Sequence, residues 1–320
     1  MADTMKVSDF MLNLKTRLVA ERNIADSTAT QYLQTLYKLA GGKFNNMAWS
    51  KKYEDVEKRL ETYAPSTRQS YMAALASSLS LFNDKPVYKK AYRYWRDKMA
   101  SAGEELRKDA AKHEKSETQE ENWITWDEVE KKKSGLKEDV SRFHSNKKVS
   151  EGEYEILLHY LILSLYTDIA PRRNQDYLDM YVVKKLPKEY ERDKNYYDIA
   201  AQQFVFNKYK TAKTYGEQRI AVPDSLKEVL EKYLKFHPLK KQKEFKLLVK
   251  EDGEELNSVN AITRILNRIF DKKVGSSMLR HIYLSSRYSA KDSEMDATAL
   301  EMAHSREMQR LYIKKDSAEE

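Results

Sequence analysis

The densest apolar run of the chain lies near its middle, where Tyr154 to Tyr166 is apolar nearly all round. A helix without a polar face is a buried one. Pro171 follows soon after, ending that helix and starting a new turn that presents Arg172 and Arg173. Nearer the N-terminus, apolar positions recur at helical spacing. Ser27-Thr28 precedes Tyr32 and Leu36, and Ser66-Thr67 precedes Tyr71 and Leu75. In both segments the hydroxyl residue is expected to cap orphan N–H groups, while Tyr and Leu four apart share one helical face. Pro65, just ahead of the second pair, sharpens that start. A third stripe, Tyr88, Tyr92, Trp95 and Met99, begins at Pro86 and is expected in a core. Lys89, Lys90, Arg93 and Arg96 lie between its members and form a basic face suited to phosphates.

From about Gly103 to Asn122 the chain is almost wholly polar, so a domain boundary is expected there. The division is a small helical domain over residues 1–102, a linker over 103–122 and a second domain over 123–320. Order resumes at Trp123, and Thr125 with Glu128 has the spacing of a capping box. Strand signals are confined to Met180 to Val183, Gln203 to Asn207 and Arg219 to Val222. The last two flank a lysine-rich turn containing Gly216 and read as a β-hairpin. A capped helix is expected from Asp224, then a short strand near Phe245 to Val249. Helices follow over Val259 to Phe270, Ser277 to Tyr288 and Asp296 to Met302. With only 8 glycines and 6 prolines to interrupt it, the chain is expected to be mainly α with a small antiparallel β-sheet.

Composition narrows the functional classes. A chain of 320 residues exceeds what one core usually serves, and 41% apolar residues suffice for two. A formal surplus of eight positive charges points to an anionic partner, most often nucleic acid. No cysteine occurs, which removes disulfides and thiolate metal sites. The six histidines, at 113, 144, 159, 237, 281 and 304, show no pair at helical ligand spacing, and no HExxH or EF-hand pattern appears. Neither metal nor cofactor is therefore expected. Met1 to Lys6 lacks a signal-peptide core, and no apolar run approaches the ~20 residues of a membrane span. The expected setting is soluble and intracellular, in cytoplasm or nucleus, without a membrane partner.

The last part of the chain carries the candidate chemistry. Breaking a phosphodiester without metal or nucleotide needs a nucleophile, charge complementary to the phosphorane and an acid for the leaving oxygen. Arg280, in Met278-Leu279-Arg280-His281, and one of Arg172 or Arg173 offer forked donors for the nonbridging oxygens. Lys208, Lys210 and Lys213 ride the hairpin turn, where an ammonium can protonate a leaving 5′ oxygen. Tyr312, a short distance after Ala303-His304-Ser305, can attack phosphorus and hold the bond covalently.

These boxes, in this order, resemble the catalytic domain of the tyrosine recombinases and integrases, a family mechanistically related to type IB topoisomerases. The resemblance runs from about Trp123 to the end, and residues 1–102 are similar in size and character to the family's core-binding domain. It implies a DNA-clamping helical domain and an α+β catalytic domain that cleaves and rejoins double-stranded DNA through a 3′-phosphotyrosine. The family's first arginine stands three residues before an acidic one, which places the role at Arg173 with Asp176 and leaves Arg172 second. Its hairpin lysine is similar in position to Lys210, with Lys213 as alternative. Its histidine-x-x-arginine box resembles Ser277 to Arg280, with Ser277 in the histidine's place and His281 beside the arginine. The later histidine resembles His304, and the nucleophile maps to Tyr312. The resemblance further implies protomers assembling on DNA, dimer to tetramer, and the low glycine content looks closer to integrases of large DNA viruses and their mobile elements than to bacterial ones. A topoisomerase relaxing one duplex as a monomer would use the same residues. A DNA-binding relative without activity is the reading that Ser277 motivates.

Overall fold

The computed structural model describes residues 7–112, 114–143, 148–256, 258–302 and Gln309. These divide into two compact units, residues 1–115 and 116–320, each with its own core.

The first unit is helical: α1 (Asp9–Arg22), α2 (Asp26–Ala40), α3 (Tyr53–Glu61), α4 (Pro65–Ser80) and α5 (Pro86–Ala110), with a 3-10 turn over Ala48–Lys51. Leu36, Leu75 and Trp95 of the expected stripes are fully buried, and Tyr88, Tyr92 and Met99 pack against the same cluster. The Trp95 indole N–H donates to the Ser50 carbonyl at 2.8 Å, which removes the cost of burying its one polar atom. The helix starts differ from expectation. α2 begins at Asp26 and α4 at Pro65, so Ser27-Thr28 and Ser66-Thr67 lie inside the first turns and cap nothing. Pro65 takes the first helical position, where its missing N–H would have had no partner. On α5, Arg96 pairs with Asp97 at 2.7 Å, while Lys89, Lys90 and Arg93 stand exposed without a charged partner among the described residues.

In the second unit α6 (Glu117–Asn122), α7 (Trp126–Ser141) and α8 (Glu151–Thr167) each open with a complete capping box, built by Ser116 and Gln119, Thr125 and Glu128, and Ser150 and Glu153. Within residues 103–122, α5 thus continues to Ala110 and α6 belongs to the second unit. α8 is the axis of this unit, with Leu161, Ile162 and Leu163 at 0% exposure. Then come α9 (Asn174–Leu178), β1 (Met180–Val183), β2 (Asn195–Asp198), β3 (Gln203–Phe206), α10 (Ala212–Tyr215), β4 (Gln218–Ala221), α11 (Asp224–Phe236), β5 (Glu244–Lys246), α12 (Val259–Phe270) and α13 (Ser276–Glu301). Pro223 precedes α11 and Asp224 is its first residue, with no side-chain cap.

The strands form one sheet in the order β4-β3-β2-β1-β5. The expected hairpin is present, with Phe206 opposite Gln218. The sheet is mixed rather than antiparallel, because β2, which carries no alternating signal, inserts beside β1 and runs parallel to it. Residues 184–194 carry the chain back to make that parallel pair, a connection that a tight turn cannot provide. The two helices expected after residue 276 are one continuous helix, α13. Among the described residues no helix is long and apolar enough to cross a membrane.

Candidate active site

Packing fixes α9 before any arginine is considered. Tyr177 is fully buried and its hydroxyl donates to the Leu165 carbonyl at 2.9 Å, tying α9 to α8. Asn174 accepts from the Tyr166 hydroxyl at 2.6 Å and donates to the Val259 carbonyl at 3.0 Å and Thr263 Oγ1 at 2.9 Å. One amide thereby joins α8, α9 and α12. Burial pushes the Tyr166 hydroxyl far above the ordinary tyrosine range, so it stays a neutral donor. Between Pro171 and α9 the backbone is extended, with Arg173 at φ −80° and ψ 149°.

The two adjacent arginines have different surroundings. Arg172 donates from Nε to Asp176 Oδ2 at 2.9 Å and from Nη1 to Gln218 Oε1 at 2.8 Å. Its guanidinium lies 3.9 Å from the Phe206 ring centroid and 5.1 Å from that of Tyr209. With donors and flat faces both engaged, Arg172 is a clasp between α9 and the hairpin. Arg173 is half-buried and makes no hydrogen bond or ion pair with another described residue. Arg280 reaches the same place from the second turn of α13, which the buried Leu279 and Ile282 anchor to the core. Its Nε donates weakly to the Ser276 carbonyl at 3.3 Å. Burial, and then the nearby charge of Arg173, lower the Arg280 pKa.

Asp176 faces all three arginines, yet burial outweighs them and raises its pKa. Its Oδ1 is buried without a partner. Three guanidiniums around one carboxylate leave a surplus of positive charge in a half-buried place, an arrangement that favours an anion bearing several acceptor oxygens.

The lysine loop is hung beside this cluster. Lys208 pairs with Asp179 at 3.4 Å, whereas Lys210 and Lys213 are exposed and have no partner among the described residues. The Tyr209 hydroxyl donates to the Gly216 carbonyl at 2.6 Å and closes the loop on itself. Gly216 sits at φ +65°, a conformation that glycine adopts without strain. Ser277 and His281 lie on the exposed side of α13. His304 and Tyr312 lie outside the described residues. Sequence reasoning missed Asn174 and Asn195, since an isolated asparagine announces neither burial nor partner. Among the described residues, no group of three or more histidines, aspartates or glutamates could hold a metal ion.

No family model matches the chain, and no curated protein matches it. Among solved structures, the crystal structure of XerA recombinase is similar to it, with 11% identity over 97% of this chain and 94% of that chain and a TM-score of 0.36.

Proposed function

We propose that this protein is a site-specific DNA recombinase or integrase that cleaves and rejoins duplex DNA through a covalent 3′-phosphotyrosine. The observation that carries the reading is that Arg173 and Arg280, neither of them in an ion pair among the described residues, both face the single buried carboxylate of Asp176. A fold gains nothing from such a pair until an anion arrives. A phosphodiester matches it: each guanidinium grips a nonbridging oxygen, and the grip tightens as negative charge builds in the phosphorane.

In this reading the Tyr312 phenolate oxygen forms a bond to phosphorus and the bond from phosphorus to the 5′ oxygen breaks. The leaving oxygen takes a proton from Lys210 or Lys213. His304, with Ser277 or His281, serves the proton of the phenol. Attack by a 5′ hydroxyl reverses the step, and the bond energy stored in the phosphotyrosine removes any need for a nucleotide. The basic face of α5 contributes sequence-independent affinity for phosphates.

The test is a nicked duplex, which traps the intermediate because the short 5′ fragment diffuses away. The expected result is a protein–DNA adduct with wild-type protein, none with Tyr312→Phe, and duplex affinity unchanged between the two. An adduct formed by Tyr312→Phe removes Tyr312 as nucleophile, and no adduct with either protein leaves a DNA-binding relative without this chemistry. Exchange between paired sites, against relaxation of a single supercoiled plasmid, separates recombinase from topoisomerase.

A further inference from the structure

Asn195 is the first residue of β2, fully buried, and takes no part in the chemistry above. Its Nδ2 donates to the Asp176 carbonyl at 2.8 Å and to the Lys208 carbonyl at 2.9 Å. Its Oδ1 accepts from the Asn207 N–H at 2.9 Å and the Lys208 N–H at 2.8 Å. Both amide hydrogens and both lone-pair sites are therefore used, and all four partners are backbone groups. One of them belongs to α9, three residues beyond Arg173. The others belong to the two residues that open the lysine loop. At the far end of that loop, Arg172 holds Gln218 and Asp176 together. The loop over 207–217 is thus pinned to α9 at its entry by Asn195 and at its exit by Arg172.

The loop's other contacts to the rest of the fold also lie toward its ends, Lys208 with Asp179 and Glu217 with Tyr190, Arg192 and Arg219, and its middle is exposed. Lys210, Lys213, Thr214 and Tyr215 are exposed, and α10 is a single turn without a buried residue. An exposed loop carrying flexible lysines will deliver a proton to a defined atom only if its ends are held to the element that holds the phosphate. We propose that Asn195 is a positioning residue for leaving-group protonation: its four hydrogen bonds to Asp176, Asn207 and Lys208 set the lysine loop in register with Arg173. This rests on the reading of the loop lysine as the acid.

That role has a signature that general damage to the fold lacks. Replacing the bridging 5′ oxygen at the scissile phosphate by sulfur makes a leaving group that departs as a thiolate and needs no proton. The experiment compares single-turnover cleavage of oxygen- and sulfur-bridged nicked duplexes at saturating protein. Asn195→Ala is expected to cut the oxygen duplex about 100-fold more slowly, the scale of a misplaced or missing general acid, and the sulfur duplex within about threefold of wild type. Lys210→Met or Lys213→Met should show the same selectivity, identifying the acid. Equal slowing on both duplexes, or no slowing on either, overturns the inference and leaves the proposed chemistry intact. Failure of the wild-type protein to cleave either duplex overturns the chemistry itself. Gln218→Ala removes the clasp at the exit and leaves the core untouched, so it carries the same comparison if Asn195→Ala does not fold. Selective loss on the oxygen duplex supports the clasp, and equal loss refutes it.

Discussion

Replacing Arg280 by methionine should make the folded protein more stable while abolishing the DNA cleavage proposed for it. The side chain is half-buried, and its pKa is lowered first by burial and then by Arg173, so the fold holds this cation against two opposing forces. Methionine keeps the aliphatic stem that packs beside Leu279 and discards the charge. Like charges a few ångströms apart repel by about 4 kcal/mol at an effective dielectric of ~20 and by about 1 kcal/mol in water, and the attraction of Arg280 to Asp176 offsets part of this. Partial exposure of both guanidiniums puts the pair toward the lower figure. The hydrogen bond lost, Nε to the Ser276 carbonyl at 3.3 Å, is long and worth only a few tenths. The expected net gain is about 1 kcal/mol in urea unfolding. Arg173→Met should give a similar gain, and the double variant should gain less than the sum, because the repulsion can be removed only once. Raising salt from 0.1 to 1 M shortens the Debye length from about 10 to about 3 Å and should shrink the coupling. Cleavage of nicked DNA should fall by about 100-fold or more in each single variant, as for loss of one donor to a transition-state oxyanion. Additive gains with no salt dependence would mean that the two guanidiniums do not share a site, and the anion clamp would fall with them.

Three further outcomes follow from the same structure. His237 is buried with Nδ1 accepting from the Leu239 N–H, and burial depresses its pKa to about 4. Its stabilising contribution is complete above the unfolded value of about 6.5 and is lost as pH falls toward 4, so the second unit should be about 2 kcal/mol less stable at pH 5 than at pH 7 in urea, a difference that His237→Asn reduces. Arg172→Lys gives up the bond to Gln218 and the flat stacking on Phe206, and should cost about 2 kcal/mol of stability, whereas Arg173→Lys should unfold at the wild-type urea concentration and fail only in cleavage. Replacing Lys89, Lys90 and Arg93 together by alanine should flatten the salt dependence of duplex binding by about two to three phosphate contacts without changing the single-turnover cleavage rate at saturation.

What could be read from the chain was what its local chemistry encodes. The unbroken apolar run of α8 has one stable solution, burial, and the Thr125 and Glu128 pair can satisfy each other only at a helix start. The hairpin was legible because both strands and the glycine of its turn lie close together in sequence. β2 was not. Its four residues, Asn195 to Asp198, become a strand because β1 and β3 flank them on either side, and neither neighbour is announced locally. α13 was split in two because its apolar period fades after Ile282; the middle of that helix is exposed, so the period had no face to record. Helix-forming residues and the absence of glycine and proline over 276–301 keep it continuous.

The assignment of Arg172 and Arg173 shows why spacing alone stopped short. The two are neighbours with one chemistry, and either would serve a phosphate. The extended backbone at Arg173 turns successive side chains to opposite sides. One side offers the hairpin, where Asp176 and Gln218 take the Nε and Nη1 of Arg172 and Phe206 its flat face. The other offers Arg280, which can satisfy nothing and adds repulsion. Asp176 offsets part of that repulsion but is already bonded to Arg172, and a fold selected for stability alone would fill the second place with an apolar side chain. Leaving two cations to face each other there is disfavoured in the free protein and favourable once a doubly accepting anion lies between them. In the proposed chemistry Arg173 takes the phosphate for the same reason that it is the poorer stabilising residue.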